Sequence, residues 1–166
     1  MKKLRTLAFS ALMALFFIVP ASAQNSALTK SVNIVIDNYL AVKNALTTGD
    51  GTLAAAKSKL LLASVNEIQK TGLSADQVAL LGKLEYDSRH ISEVPRVAHQ
   101  REHFASLSNN LYAFIKKSKL NQTTLYRQYC TMDKQYYLSE TDKGKDPYMG
   151  MTNCSKVVET LPAAKN

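Results

Sequence analysis

Apolar residues recur at three- and four-residue spacing along this chain up to about residue 120. From Ser26 to Leu46 they fall at Leu28, Val32, Val35, Ile36, Tyr39, Leu40 and Leu46, the pattern of a helix with one buried face. Thr47-Thr48-Gly49-Asp50-Gly51 interrupts it. Asp50 is placed to cap a second helix running to about Gln69, with Leu53, Ala56, Leu60, Leu61, Val65 and Ile68 facing inward. Thr71-Gly72 ends that run. Ser74-Ala75-Asp76-Gln77 reads as a capping box ahead of Val78, Leu81, Leu84 and Ile91. This third helix should stop near Ser92, because Pro95 disfavours helix in the residue before it. Pro95 itself suits the first turn of a fourth helix, which carries Phe104, Leu107, Leu111, Phe114 and Ile115 on one face and ends near Lys117. Helices of similar length joined by short links predict a mainly α fold, an antiparallel four-helix bundle.

The pattern changes after Asn121. Residues Thr124 to Cys130 and Gln135 to Ser139 are rich in tyrosine, threonine and leucine, and they predict a small β-hairpin turning at Met132-Asp133-Lys134. Glycine, aspartate and proline mark "TDKGKDPYMG" as a loop. Ser155 to Leu161 is expected to form a last short helix. A lone hairpin is marginal in water, so this one must pack on the bundle.

The N-terminus reads differently. Met1 to Arg5 is basic, an apolar run follows to Pro20, and Ala21-Ser22-Ala23 is an A-x-A cleavage signature. Residues 1–23 are thus expected to be a secretory signal peptide, leaving 24–166 as a single exported domain. Residues 24–120 would form the bundle and 121–166 the hairpin and loop segment. The apolar run is short for a membrane span, and no stable membrane insertion is expected after cleavage. Lys2, Lys3 and Arg5 leave with the leader, so 21 basic residues become 18 against 13 acidic ones, and the net charge falls from +8 to +5. Much of the basicity is therefore targeting. The remaining lysines are scattered apart from Lys116, Lys117 and Lys119 at a helix C-terminus, and nucleic-acid binding is not expected.

Chemistry concentrates in the C-terminal segment. Cys130 and Met132 stand two residues apart; Met151 and Cys154 stand three apart. Thiolate and thioether are soft ligands that favour copper(I) or silver(I). The same two cysteines, in an exported chain, are by default the makings of a disulfide. The residues leave both readings open. His99 and His103 are spaced i,i+4 on the fourth helix and His90 lies late in the third; the spacing suits two ligands on one face, but flank histidines facing solvent are the simpler reading. Asp87, Arg89, Arg101 and Glu102 read as solvated helix charges. There is no G-x-S-x-G, no H-E-x-x-H, no phosphate-cradling glycine loop and no C-x-x-C, so an enzyme is not expected.

The segments "YLAVKNAL", "HISEVPRVAHQREHFASLS", "LYRQYCTM", "YYLS" and "DPYMGMTNCSKV" together resemble a bacterial exported domain of unknown function. That domain occurs alone after a signal peptide and also fused to periplasmic adaptor (membrane-fusion) proteins of copper/silver efflux systems. Its usual pattern is Tyr-x-x-x-Cys-Pro-Met, Trp-Leu-Ser, Asn-Pro-Tyr-x-Gly and Met-x-x-Cys-Gly. In this chain Thr131 replaces the proline, Tyr137 the tryptophan, Asp146 the asparagine and Ser155 the last glycine, and the stretch between Gly150 and Met151 is shortened. The resemblance implies a periplasmic, non-enzymatic domain handling a soft metal such as copper(I) or silver(I). Cys130, Met132, Met151 and Cys154 would be its ligands, with His90 as an added imidazole. An efflux adaptor or a copper carrier would be its partner. Arg101, Phe104, Leu107 and Ser108 match a fourth-helix signature that reads as packing. The alternative is a structural or protein-interaction module stapled by a Cys130–Cys154 disulfide.

Overall fold

A computed structural model describes residues 21–164, with side chains from residue 26 onward. The expected leader falls outside the described residues except for 21–23, which open the first helix. Four helices run in order: α1 (Ala21–Thr48), α2 (Gly51–Asn66), α3 (Ala75–Glu93) and α4 (Val97–Ser118). Each packs chiefly on its chain neighbours, as short connections dictate. Three strands follow: β1 (Leu125–Cys130), β2 (Gln135–Ser139) and β3 (Ser155–Leu161). The fold is mainly α, with a small antiparallel sheet at the C-terminus in the order β2-β1-β3. No helix among the described residues is long and apolar enough to cross a membrane.

The helix boundaries follow local chemistry. The Asp50 carboxylate accepts from the N–H of Leu53 at 2.8 Å and opens α2. At α3 the Ser74 hydroxyl accepts from Gln77 N–H while the Gln77 side chain accepts from Ser74 N–H, a complete capping box. α4 closes on Lys119, which takes the left-handed conformation (φ 53°) and returns its N–H to Ile115.

The predicted apolar faces of α1, α3 and α4 are buried in one core that includes Val32, Ile36, Tyr39, Leu81, Leu84, Ile91, Phe104, Leu107 and Leu111. α2 differs. Leu61, Val65 and Ile68 face inward as expected, but Leu53, Ala56 and Leu60 are exposed, and Ala54 and Ser58 take the inward positions in their place. The Ala54-Ala55-Ala56 run offers little contrast between faces, so helical periodicity alone could not phase this helix.

The last segment is also a correction. Residues Ser155–Leu161 form β3, not a short helix, and pair antiparallel with β1 from Cys130↔Ser155 to Leu125↔Leu161. Lys156-Val157-Val158-Glu159-Thr160 is β-branched enough for a strand. Its alternation is weak because both faces are largely exposed, and pairing with β1 decides its state.

Several contacts seat the sheet on the bundle. Leu138 N–H donates to Tyr39 Oη at 3.0 Å. Arg101 donates through Nε to Pro147 O at 2.8 Å and through its terminal nitrogen to Leu46 O at 3.0 Å. Arg101 is therefore no solvated charge; it ties the loop after β2 to the end of α1. Gly150 lies against Thr47 so closely that a Cβ would stand 2.7 Å from the carbonyl oxygen, and its φ of +71° also favours glycine.

Candidate functional site

Cys130 ends β1 and Cys154 immediately precedes β3, so antiparallel pairing brings them face to face. They form a disulfide with Cα atoms 5.1 Å apart. The Thr131 N–H and hydroxyl both donate to the Cys154 carbonyl, at 3.1 and 3.3 Å, fixing the two chain segments beside the bridge. The bridge is buried: Cys130 is 0 % and Cys154 4 % exposed.

Two carboxylates converge on the sulfurs. Oxygen atoms of Asp133 and Asp146 and the two Sγ atoms all lie within 4.8 Å of one another. Asp133 Oδ2 is 3.6 Å from Cys130 Sγ, which in a disulfide carries no proton, so this is a contact and not a hydrogen bond. Burial pushes the Asp133 carboxyl above its ordinary range, and the negative charge of Asp146 adds to it, against a smaller opposing pull from Arg101.

Asp146 is fully buried and organises the loop. Its Oδ1 accepts from Tyr148 N–H at 2.9 Å and Met149 N–H at 2.7 Å, and its Oδ2 accepts from Met151 N–H at 2.9 Å. These charge-assisted bonds close the turn through Pro147 that presents Met149 and Met151. Met132, Met149 and Met151 are 58 %, 47 % and 42 % exposed, flanking a bridge that is hidden.

The tyrosines divide. Tyr137 and Tyr148 are core residues, and burial raises both phenols above their ordinary value. Tyr126, Tyr129 and Tyr136 are half-buried; the rings of Tyr129 and Tyr136 lie 4.8 Å apart, and the Arg127 guanidinium sits over the rings of Tyr112 and Tyr136 at 3.8 and 4.2 Å.

A family model described as a protein of unknown function, DUF3347, matches residues 35–123. The chain belongs to this family. No curated protein and no solved structure matches it. The DUF3347 match covers the second half of α1 and all of α2, α3 and α4, and ends just before β1. It therefore contains all three histidines and none of the four sulfur residues expected to bind metal.

The structure thus parts the expected ligand set. Cys130 and Cys154 come together, as a disulfide. Met132 and Met151 stand at the surface on the loops beside them. His90 gathers instead with His99 and His103 across the α3–α4 interface. Sequence reading gave no site role to Asp133, placed only in the hairpin turn, or to Asp146, noted only as standing for the asparagine of Asn-Pro-Tyr-x-Gly, and it read Asp87 as solvated where it is buried against His103. The one available signal for Asp87 was its helical spacing from Leu84 and Ile91, on the buried face of α3.

Proposed function

We propose that this DUF3347 chain is an exported, non-catalytic binding module of the cell envelope. An oxidised Cys130–Cys154 staple holds its shape, and it works through the loop face beside that staple. One observation carries the reading: the bridge is buried while Met132, Met149 and Met151 around it are exposed. A disulfide suits an oxidising compartment. Exposed methionines are flexible apolar groups that adapt to a partner's surface. The partner on this reading is a protein, and the resemblance to efflux-linked domains suggests a periplasmic adaptor or a copper carrier.

A second reading places a soft ion, copper(I) or silver(I), at the same loops. Its support is the convergence of both sulfurs with Asp133 and Asp146, with Met132 and Met151 exposed close to the cysteines in sequence. It requires the bridge to be reduced first, because thiolates are the ligands, and a buried disulfide is poorly reached by an attacking thiolate.

Melting temperature separates the two. On the first reading Cys130→Ser with Cys154→Ser melts lower whether or not copper(I) is present, and copper(I) leaves the oxidised parent unchanged. A copper-dependent rise in the reduced parent, expected from mass action if the ion binds the folded state, supports the second. Partner docking is tested in intact cells by a photo-crosslinking amino acid at Met151. It should trap a discrete envelope protein, and the same residue at exposed Leu60 on α2 should not. No adduct at Met151 contradicts the first reading.

A further inference from the structure

The three histidines form a second cluster that shares no residue with the staple loop. His90 comes from the last turn of α3, and His99 and His103 lie one helical turn apart on α4. One nitrogen from each lies within 4.8 Å of the other two. The ring of His103 stacks on His90 with centroids 4.6 Å apart and meets His99 edge-on at 4.7 Å.

We propose that His90, His99 and His103 are a site for one divalent transition-metal ion of the zinc or copper(II) class. Nitrogen ligands about 2.0–2.1 Å from a tetrahedral ion stand about 3.3 Å from one another, so rotation of these side chains is enough to close the tripod.

Second-sphere groups support it. The Asp87 carboxylate is buried, with its side chain 4 % exposed, and meets His103 Nδ1 at 3.1 Å. Asn110 donates to its other oxygen at 3.5 Å. A carboxylate on Nδ1 fixes the proton there and leaves Nε2 with its lone pair free for an ion, the usual support of a metal-bound histidine. Glu102 Oε2 stands 3.9 Å from His99 Nδ1.

The chemistry selects the class of ion. Three imidazoles suit zinc, copper(II) or nickel; there is no sulfur here to favour copper(I), and the ligating atoms are not the oxygens that magnesium or calcium require. The His99 and His103 side chains are 22 % and 18 % exposed, so an ion can enter and a fourth position stays open to water or an incoming ligand.

The test is titration of tag-free oxidised protein with zinc chloride, followed calorimetrically, with cobalt(II) as a spectroscopic substitute. One ion per chain is expected. Cobalt(II) should give the visible bands of a low-coordinate nitrogen site without sulfur-to-metal charge transfer. His90→Gln, His99→Gln and His103→Gln should each weaken binding at least 100-fold while keeping the parent's far-ultraviolet circular dichroism. Asp87→Asn should weaken it 10- to 100-fold without changing the stoichiometry. Absence of zinc binding by the folded parent, a cobalt–sulfur charge-transfer band, or unchanged affinity in the triple glutamine variant would overturn the site.

Discussion

The hydroxyl of Tyr39, midway along α1, accepts a hydrogen bond from the backbone N–H of Leu138 in β2 at 3.0 Å. The same hydroxyl lies 2.7 Å from Ser108 Oγ. Ser108 gives its single proton to the Phe104 carbonyl at 2.7 Å, so Tyr39 must donate to Ser108. A one-way relay therefore runs from the sheet, through α1, into α4: Leu138 N–H to Tyr39 to Ser108 to Phe104. All of its members are buried, and burial pushes the Tyr39 phenol far above its ordinary value, so it stays protonated and able to donate.

Tyr39→Phe should break this relay at its centre. The buried Leu138 N–H would lose its acceptor and Ser108 Oγ its donor. Leaving a buried polar group unsatisfied costs about 1–3 kcal/mol. Urea unfolding should register that loss in midpoint with little change in slope. Ser108→Ala should cost less, because Tyr39 then keeps its bond from Leu138.

Asp146→Asn tests why a carboxylate occupies this turn. Asp146 accepts three N–H bonds with two oxygens. An amide could accept from Tyr148 and Met149, but it would present its own NH2 group to the Met151 N–H. A lost charge-assisted bond predicts destabilisation of about 1.5–3 kcal/mol. Amide hydrogen exchange at Met151 should rise well beyond that global change.

The pair Lys43–Glu140 gives a pH dependence of known sign. The Lys43 ammonium meets Glu140 at 2.9 Å, tying α1 to the residue after β2. Burial raises the Glu140 carboxyl, but the hydrogen bond and charge of Lys43, together with bonds from its own backbone N–H and Ser139, outweigh it, and the net shift is below the ordinary value of 4.5. A carboxyl lowered in the folded state stabilises above its unfolded value and loses that contribution as pH falls through the folded one. Asp133 runs the other way, since its raised carboxyl opposes folding at neutral pH and ceases to do so on acidification. Melting curves between pH 7 and 3 should show Glu140→Gln flattening the acid loss. Asp133→Asn should raise the neutral-pH melting temperature.

The bundle was legible because four periodic runs agree with local signals: Asp50 and Ser74 with Gln77 mark helix starts through local bonds, whereas Pro95 lies two residues before Val97 opens α4, outside the first turn it was expected to occupy. α2 was misphased where alanines erase the contrast between faces. β3 was misread because its partner, β1, lies about 25 residues earlier, and a local window carries no trace of that pairing. The candidate sites divide in the same way. Cys130 and Cys154 were visible as chemistry, and the register of β1 with β3 explains why they bond. Asp87, Asp133 and Asp146 were seen as a helix charge, a turn residue and a motif position, but their roles were not legible, because the packing around them, not residue type, gives them those roles. His90 was read with the sulfur residues, although the short link predicted between α3 and α4 already sets the end of one helix beside the start of the other, where His90 meets His99 and His103.

The state of the Cys130–Cys154 bridge in the cell bears most directly on the proposed function. The chain-entropy model gives such a bridge, with 24 residues of separation, about 3–4 kcal/mol of stability. The measurement is intact mass after acid quench and thiol alkylation, on protein recovered from the cell envelope with and without added copper. An unalkylated chain two hydrogens lighter than the reduced form, free of copper under both conditions, is the expected result. Two alkylated cysteines, with a copper-loaded mass before the quench when copper is supplied, would contradict the staple and place a soft ion at these sulfurs instead.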